Sequence, residues 1–298
     1  MGKTEISWTD VTWNPVRGCS QVSPGCANCY AKHQAARIVR MSKGKPSKYD
    51  RLVRITKSGE PAWTGEVELD PVALAAPLSW KKPRQIFVNS MSDLFHEKLT
   101  NEQIAAVFGV MAAAPQHTFQ VLTKRARRMR EWFEWANPVG KELLNRIPMP
   151  PIPRALIEDA ALDALNGVVD GIPRRRDARW PLPNVHLGVS AENQDTLDER
   201  WPDLLACPAV VRWFSCEPLL GDIDLKHMLA DAACKAGSLW LVAGCESGPG
   251  ARPCDVAWLR SLRDQCAAAG VPFFLKQAVS TNPYVFRDQF SSGTSPDS

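Results

Sequence analysis

Seven short apolar runs recur along this chain, at residues 8–13, 85–90, 118–123, 185–190, 210–215, 239–244 and 272–276. Most of them lack the polar alternation of a strand with one face in water, and they are too short for helices. Helix-like segments separate them: 31–41, 70 to about 80, 100–111, a basic segment reaching about Trp135, 193–205 and 255–269. Asp70 with Pro71, and Thr100 with Gln103, carry the signals of helix starts. Apolar strands alternating with helices predict a parallel sheet covered on both faces. The series predicts an α/β fold, a partial TIM-like (β/α) barrel of about six to seven strands, rather than an open doubly wound sheet.

Two stretches interrupt the series. Residues 42–64, rich in Lys, Gly, Ser and Pro, read as a surface excursion. Residues 137–183 hold eight of the 24 prolines and read as an insertion, with one helix near 154–165 over the barrel. Residues 1–284 are expected to form the barrel domain and 285–298 a disordered polar tail.

In such a barrel, chemistry collects where the strands end. The second strand ends in Asn89-Ser90-Met91-Ser92-Asp93 and the third in Thr123-Lys124. The fourth ends in Ser190-Ala191-Glu192, the fifth in Cys216-Glu217, the sixth in Gly244-Cys245-Glu246-Ser247 and the seventh in Lys276. Each alone also suits a helix cap, and Lys276 also suits a plain neutralising partner for Glu217 or Glu246. Together they predict a charged cavity mouth.

The first strand feeds a loop with three thiols in eleven residues, Cys19, Cys26 and Cys29, separated by six positions and then two. Thiolate is the soft ligand that zinc and iron–sulfur clusters select. No fourth Cys or His follows at close chelating spacing except His33, which would complete a Cys3His zinc site. Without His33, three thiolates on a four-iron cluster leave one iron open to a small molecule.

Asn-Pro-x-Arg-Gly-Cys at 14–19, followed by Gly-Cys-x-x-Cys-Tyr-Ala at 25–31, resembles the cluster loop of radical S-adenosylmethionine enzymes. The similarity is to the branch that contains spore photoproduct lyase and, along most of the chain, to a phage and prophage three-Cys-motif family. The usual spacing there is three then two, so the six-residue gap is a departure. The resemblance implies a [4Fe-4S] cluster on Cys19, Cys26 and Cys29 that reduces S-adenosylmethionine to a 5′-deoxyadenosyl radical. It places Asn89, Ser90, Ser92 and Asp93 where relatives hold the cofactor's ammonium, with Lys124 beside them. Ser190 and Glu192 become ribose candidates, and Gly244, Glu246 and Ser247 pass near adenine or substrate. A phosphate-binding loop is the competing reading of 244–250, though it lacks a Gly-Lys-Ser/Thr ending. Cys216 and Cys245 are candidate hydrogen donors, with Glu217 and Lys276 completing the catalytic set. The implied partners are a nucleic-acid substrate, DNA ahead of RNA, and an electron donor such as flavodoxin or ferredoxin.

Charge supports the nucleic-acid expectation. The net charge is only +4, yet residues 32–57 carry nine Lys or Arg against one acid. Two further basic runs occupy 124–130 and 174–179. Such runs attract phosphate backbones, although each also suits a solvated face. No apolar stretch is long enough to span a membrane and the first residues are polar, which predicts a cytoplasmic protein without membrane contact. There the nine cysteines read as ligands and core thiols rather than disulfides, with Cys207, Cys234 and Cys266 in the core. Two rival functions remain: a zinc-stabilised nucleic-acid-binding protein, and a barrel hydrolase using Asp93, His96, Glu217 and Lys276 around a hard metal.

Overall fold

The computed structural model describes residues 6–136, 181–230, 238–247 and 250–278. The expected insertion, apart from residues 181–183, and the polar tail lie outside the described residues, as do the third basic run and Cys234.

The seven apolar runs become seven parallel strands of one curled sheet. They are β1 (Val11–Trp13), β6 (Gln85–Val88), β7 (Thr118–Thr123), β8 (Val185–Ser190), β9 (Val211–Cys216), β10 (Leu239–Gly244) and β11 (Phe273–Gln277). They pair in that order, with β1 and β11 as the edges, so the sheet is a half-barrel. Short strands β2 (Val16–Arg17) and β5 (Glu68–Leu69) pair beside it, and β3 (Val53–Ile55) and β4 (Pro61–Trp63) form a hairpin.

Side chains alternate between two faces, as a strand requires. Ile86, Val88, Phe119, Val121, Leu187, Val189, Phe214 and Leu241 join the main core. The helices that cover it are α3 (Asn101–Ala113), α4 (Ala126–Ala136), α5 (Gln194–Leu205) and α6 (Val256–Ala268). The alternate residues Phe87, Leu122, Trp213, Trp240, Val242 and Phe274 gather on the opposite, inner face. There Trp213 and Trp240 stack at 4.7 Å, and Trp8 meets Phe87, Trp213 and Trp240 edge-on. An aromatic plug therefore fills the lower part of the inner face.

Two elements depart from the sequence expectations. Residues 42–64 are more than an excursion: the β3–β4 hairpin packs on α1 (Tyr30–Met41) around Ala35, Tyr49, Leu52, Val53 and Trp63. Its strands are three residues each, too short for a periodic signal. The helix expected from 70 to about 80 is only α2 (Pro71–Leu74), followed by a 3-10 turn over Ala76–Ser79. Pro77 is the cause, because it has no N–H to give the carbonyl of Ala73. That carbonyl accepts the indole N–H of Trp13 at 2.7 Å instead, which fastens the start of the barrel to this broken helix.

Trp13→Phe removes the indole donor, leaves the Ala73 carbonyl only the N–H of Ala75, and is expected to cost about 1 kcal/mol beyond any packing loss. Pro77→Ala restores a backbone donor, so the double variant should recover part of the loss in urea denaturation. Equal losses in the single and double variants would refute this account.

Candidate active site at the carboxyl ends of the strands

The cysteine loop crosses the carboxyl ends of the sheet and is tied to a different strand end at almost every step. Gly18 bridges to Ser92. Its positive φ of 85° and the Glu66 carbonyl, which an added Cβ would meet at 2.2 Å, make glycine the fitting residue there. Ser20 accepts from Arg125 at 2.7 Å. Ser23 donates to Glu192 at 2.7 Å, Asn28 donates to Glu246 at 2.8 Å, and the Tyr30 hydroxyl donates to the Ser90 carbonyl at 2.6 Å. Gly25 passes so close to Glu192 that a Cβ would lie 2.3 Å from its carboxylate. One loop thus touches the ends of β6, β7, β8 and β10.

Cys19, Cys26 and Cys29 are all unpaired and half-buried in this loop. Burial, and then the Asp93 carboxylate, push the Cys19 thiol up to about 12, partly opposed by Arg125, whose guanidinium lies 3.9 Å from the sulfur. Cys29 is near enough to add to that rise. Ser23 Oγ lies 3.9 Å from the Cys26 sulfur. His33 is exposed on α1. Among the described residues no three His, Cys, Asp or Glu side chains converge tightly enough to hold a single metal ion.

The strand-end residues divide into those that anchor the loop and those left open. Glu192 is 1% exposed; burial would raise it, but Lys124, Arg200 and Ser23 outweigh that and hold its carboxyl below the usual value. Arg200 is 2.9 Å and Lys124 3.6 Å away, and Lys124 also donates to Ser190 at 2.8 Å. Asp93 accepts from Thr123, the Lys124 N–H and Arg125, so its carboxylate is already engaged. Ser92 donates to the Val16 carbonyl, and Ser90 pairs with Asn14. Asn89 is different. It takes the left-handed conformation, φ 60°, its Oδ1 accepts from Val16, and its buried Nδ2 has no partner among the described residues. The Val16 N–H fixes the amide's orientation, so the open group is a donor and suits a carboxylate or carbonyl rather than an ammonium.

Glu246 is held by Arg252 and Asn28, and its carboxyl falls to about 2 chiefly through the Arg252 hydrogen bond. Ser247 is exposed, and Gly244 lies against Gln277 of β11. Lys276 pairs with Glu217 at 2.6 Å, the neutralising arrangement. Cys216 and Cys245 pack in the helix-facing core, not with the inner face, because Ser215 and Gly244 take the alternate positions. Burial pushes the Cys216 thiol up. The hydrogen-donor role expected for these two cysteines is therefore withdrawn.

The hydrolase reading also loses its geometry. Asp93 is bound to Arg125, Glu217 to Lys276, and His96 to Ser20. Ser20, His96 and Glu97 look like a hydrolytic triad, with Oγ and Nε2 2.9 Å apart. Yet His96 Nδ1 accepts the Lys98 N–H, so the proton sits on Nε2 and points at Ser20. That imidazole is a donor to Ser20, not its base. Burial, then Arg125, lowers its pKa and keeps it neutral.

The second basic run is spent internally as well. Arg125 binds Asp93 and Glu97, Arg127 binds Glu131, Arg128 binds Asn101, and Arg130 binds Asp203. These charges fix the third strand end and α4, while Arg127 stays on the solvated face. Ser20, Ser23, Asn28, Arg125, Arg200 and Arg252 are the functional residues that sequence reasoning missed. The nearness of Ser20, Ser23 and Asn28 to the cysteines, and the place of Arg125 in the second basic run, were the available signals.

Because the folded Glu246 carboxyl lies below its unfolded value, it adds stability above about pH 4.5 that is lost as the pH falls towards about 2. Glu246→Gln removes this part. Its stability should fall less than wild type between pH 7 and pH 2.5 in urea titrations, the two converging at the acid end. Parallel curves would contradict the assignment.

Among the described residues no helix is long and apolar enough to cross a membrane. Neither the curated proteins nor the solved structures contain a match to the chain. A family model described as a protein of unknown function, DUF5131, matches residues 3–289, and the chain belongs to that family.

Proposed function

We propose that this chain is a radical S-adenosylmethionine enzyme that modifies or rearranges a nucleobase, with a modified pyrimidine of phage DNA as one concrete substrate. The observation that carries the reading is the anchored loop. Three free thiols sit in eleven residues that are pinned to four strand ends; the histidine close in sequence, His33, faces solvent, and the one close in space, His96, is held by Ser20.

The donor set suits the cluster in type and number. Three thiolates satisfy all but one iron of a four-iron cube, and a cube spreads its ligands over separate corners. A single zinc ion requires convergence on one point, which the described residues do not supply. When bound by Cys19, Cys26 and Cys29, a [4Fe-4S] cluster would supply the one-electron cleavage of S-adenosylmethionine to a 5′-deoxyadenosyl radical.

The chain's own residues do the positioning. Arg125 lies beside Cys19 and offers the only charged donor to a ligand sulfur among the described contacts. Asn89 presents its free Nδ2 to an acceptor on the bound cofactor or substrate. Lys124 and Ser190 remain partly or wholly buried next to Glu192, a polar shelf suited to ribose hydroxyls. The apolar plug of Phe87, Trp213 and Trp240 lines the inner face below the strand ends. An electron donor of the flavodoxin or ferredoxin class would supply the reducing electron.

Anaerobic reconstitution with iron and sulfide tests the reading. The expected product is brown protein with about four irons per chain that forms 5′-deoxyadenosine from S-adenosylmethionine and reductant. Cys26→Ala should lose most of the iron and all of the 5′-deoxyadenosine. A colourless chain with one tightly held zinc would overturn the proposal in favour of a zinc-stabilised binding protein.

A further inference from the structure

The molecule's positive charge is segregated. Residues 32–57 hold nine bases and one acid, a net +8, whereas the whole chain carries +4, so everything else sums to −4. In the fold this stretch is one lobe, α1 with the β3–β4 hairpin. Arg37, Arg40, Lys43, Lys45, Lys48 and Arg54 are all exposed on it, and none forms an ion pair among the described residues. With its whole hairpin, residues 30–63, the lobe carries nine bases against Asp50 and Glu60, a net +7, and the acids beside it are taken: Glu66 by Lys98, Glu68 by Arg17 and Arg51, Asp70 by Arg17. This contrasts with the 124–130 run, which is neutralised internally.

The lobe is joined to the candidate site. Its small core of Ala31, Ala35, Leu52 and Val53 extends to Cys29 and to Met91 at the end of β6. At the junction stands Tyr30, 55% exposed, with its hydroxyl fixed on the Ser90 carbonyl and its ring open to solvent.

We infer that this lobe is the docking surface for the phosphate backbone of a nucleic-acid strand, and that Tyr30 stacks on a base beside the strand ends. Unpaired Lys and Arg on one face supply the salt-dependent attraction to phosphates, and an exposed aromatic ring supplies a platform that accepts any base. A lipid surface fits less well. The apolar face of α1 is already used on the lobe's own core, which leaves only scattered exposed apolar residues such as Met41 and Ile55. The inference deepens the nucleobase reading, on which it rests, by naming what brings the base to the site.

The test is fluorescence anisotropy of the full chain with labelled single-stranded DNA, the same sequence as RNA, and duplex DNA, at about 50 and 200 mM salt. The variant Arg37→Gln/Arg40→Gln/Lys43→Gln/Lys45→Gln should bind at least about tenfold more weakly at the lower salt. Its salt slope should be reduced by about one per lost phosphate contact. Lys81→Gln/Lys82→Gln, exposed elsewhere, should bind like wild type. Tyr30→Ala, but not Tyr30→Phe, should lose quenching of 2-aminopurine in a bound strand. The tighter of the DNA and RNA arms identifies the strand. Unchanged melting midpoints show that the variants are folded, and Lys48→Glu/Arg54→Glu provides a second disruption of the same face. Wild-type affinity in both lobe variants would overturn the inference, as would equal loss in the Lys81/Lys82 control, or binding of phosphatidylserine vesicles but not oligonucleotides. Binding is read without cluster or cofactor. A chain that loads iron yet ignores oligonucleotides therefore fails this inference alone, and one that binds oligonucleotides but never takes iron fails the enzyme reading alone.

Discussion

The Glu192 carboxylate is where the site is held together. It is buried, and it receives Ser23 from the cysteine loop, Lys124 from the end of β7 and Arg200 from α5. A charge in such a place is tolerated only when its partners are complete, and removing one partner of a buried pair typically costs about 3–5 kcal/mol. The consequence is positional. The loop can swing away only by leaving Glu192 short of a hydrogen bond, and Gly25 lets the backbone come close enough to make it. Glu246 with Arg252 repeats the device on β10, and Arg125 with Asp93 repeats it next to Cys19.

The layering of the half-barrel gives these anchors their setting. Below, the inner face is filled by rings and aliphatic groups; above, where strand hydrogen bonding ends, polar side chains take over. Polar groups on that rim are affordable because most are paired, with the Asn89 amide donor and the Arg200 Nε as exceptions. An unsatisfied buried donor costs free energy that a bound acceptor would return, which is why Asn89 stands out among the strand-end residues.

Much of this architecture was legible in the sequence. All seven strands and their sequential pairing follow from apolar runs separated by helix-length segments, because parallel strands buried on both faces leave a strong signal. The hairpin over 53–63 was not legible, since strands of three residues carry no period. Nor was the break at Pro77, where a tertiary contact from Trp13 replaces a helical hydrogen bond. At the site, residue types were visible but partners were not. Glu192 and Glu246 read as cofactor contacts and also hold the loop, while Asp93 holds Arg125; nothing in the sequence places Arg125, Arg200 or Arg252 opposite them. Cys216 and Cys245 misled for a simpler reason: a shift of one position along a strand exchanges the inner face for the core.

The central claim is that three sulfurs, and no fourth protein ligand, hold a metal cluster across the strand ends. Mössbauer spectroscopy of the iron-reconstituted chain, before and after adding S-adenosylmethionine, addresses it most directly. The account predicts a four-iron spectrum in which about one iron in four changes its parameters when the cofactor binds. A spectrum that does not respond to S-adenosylmethionine, or mononuclear iron alone, would contradict it.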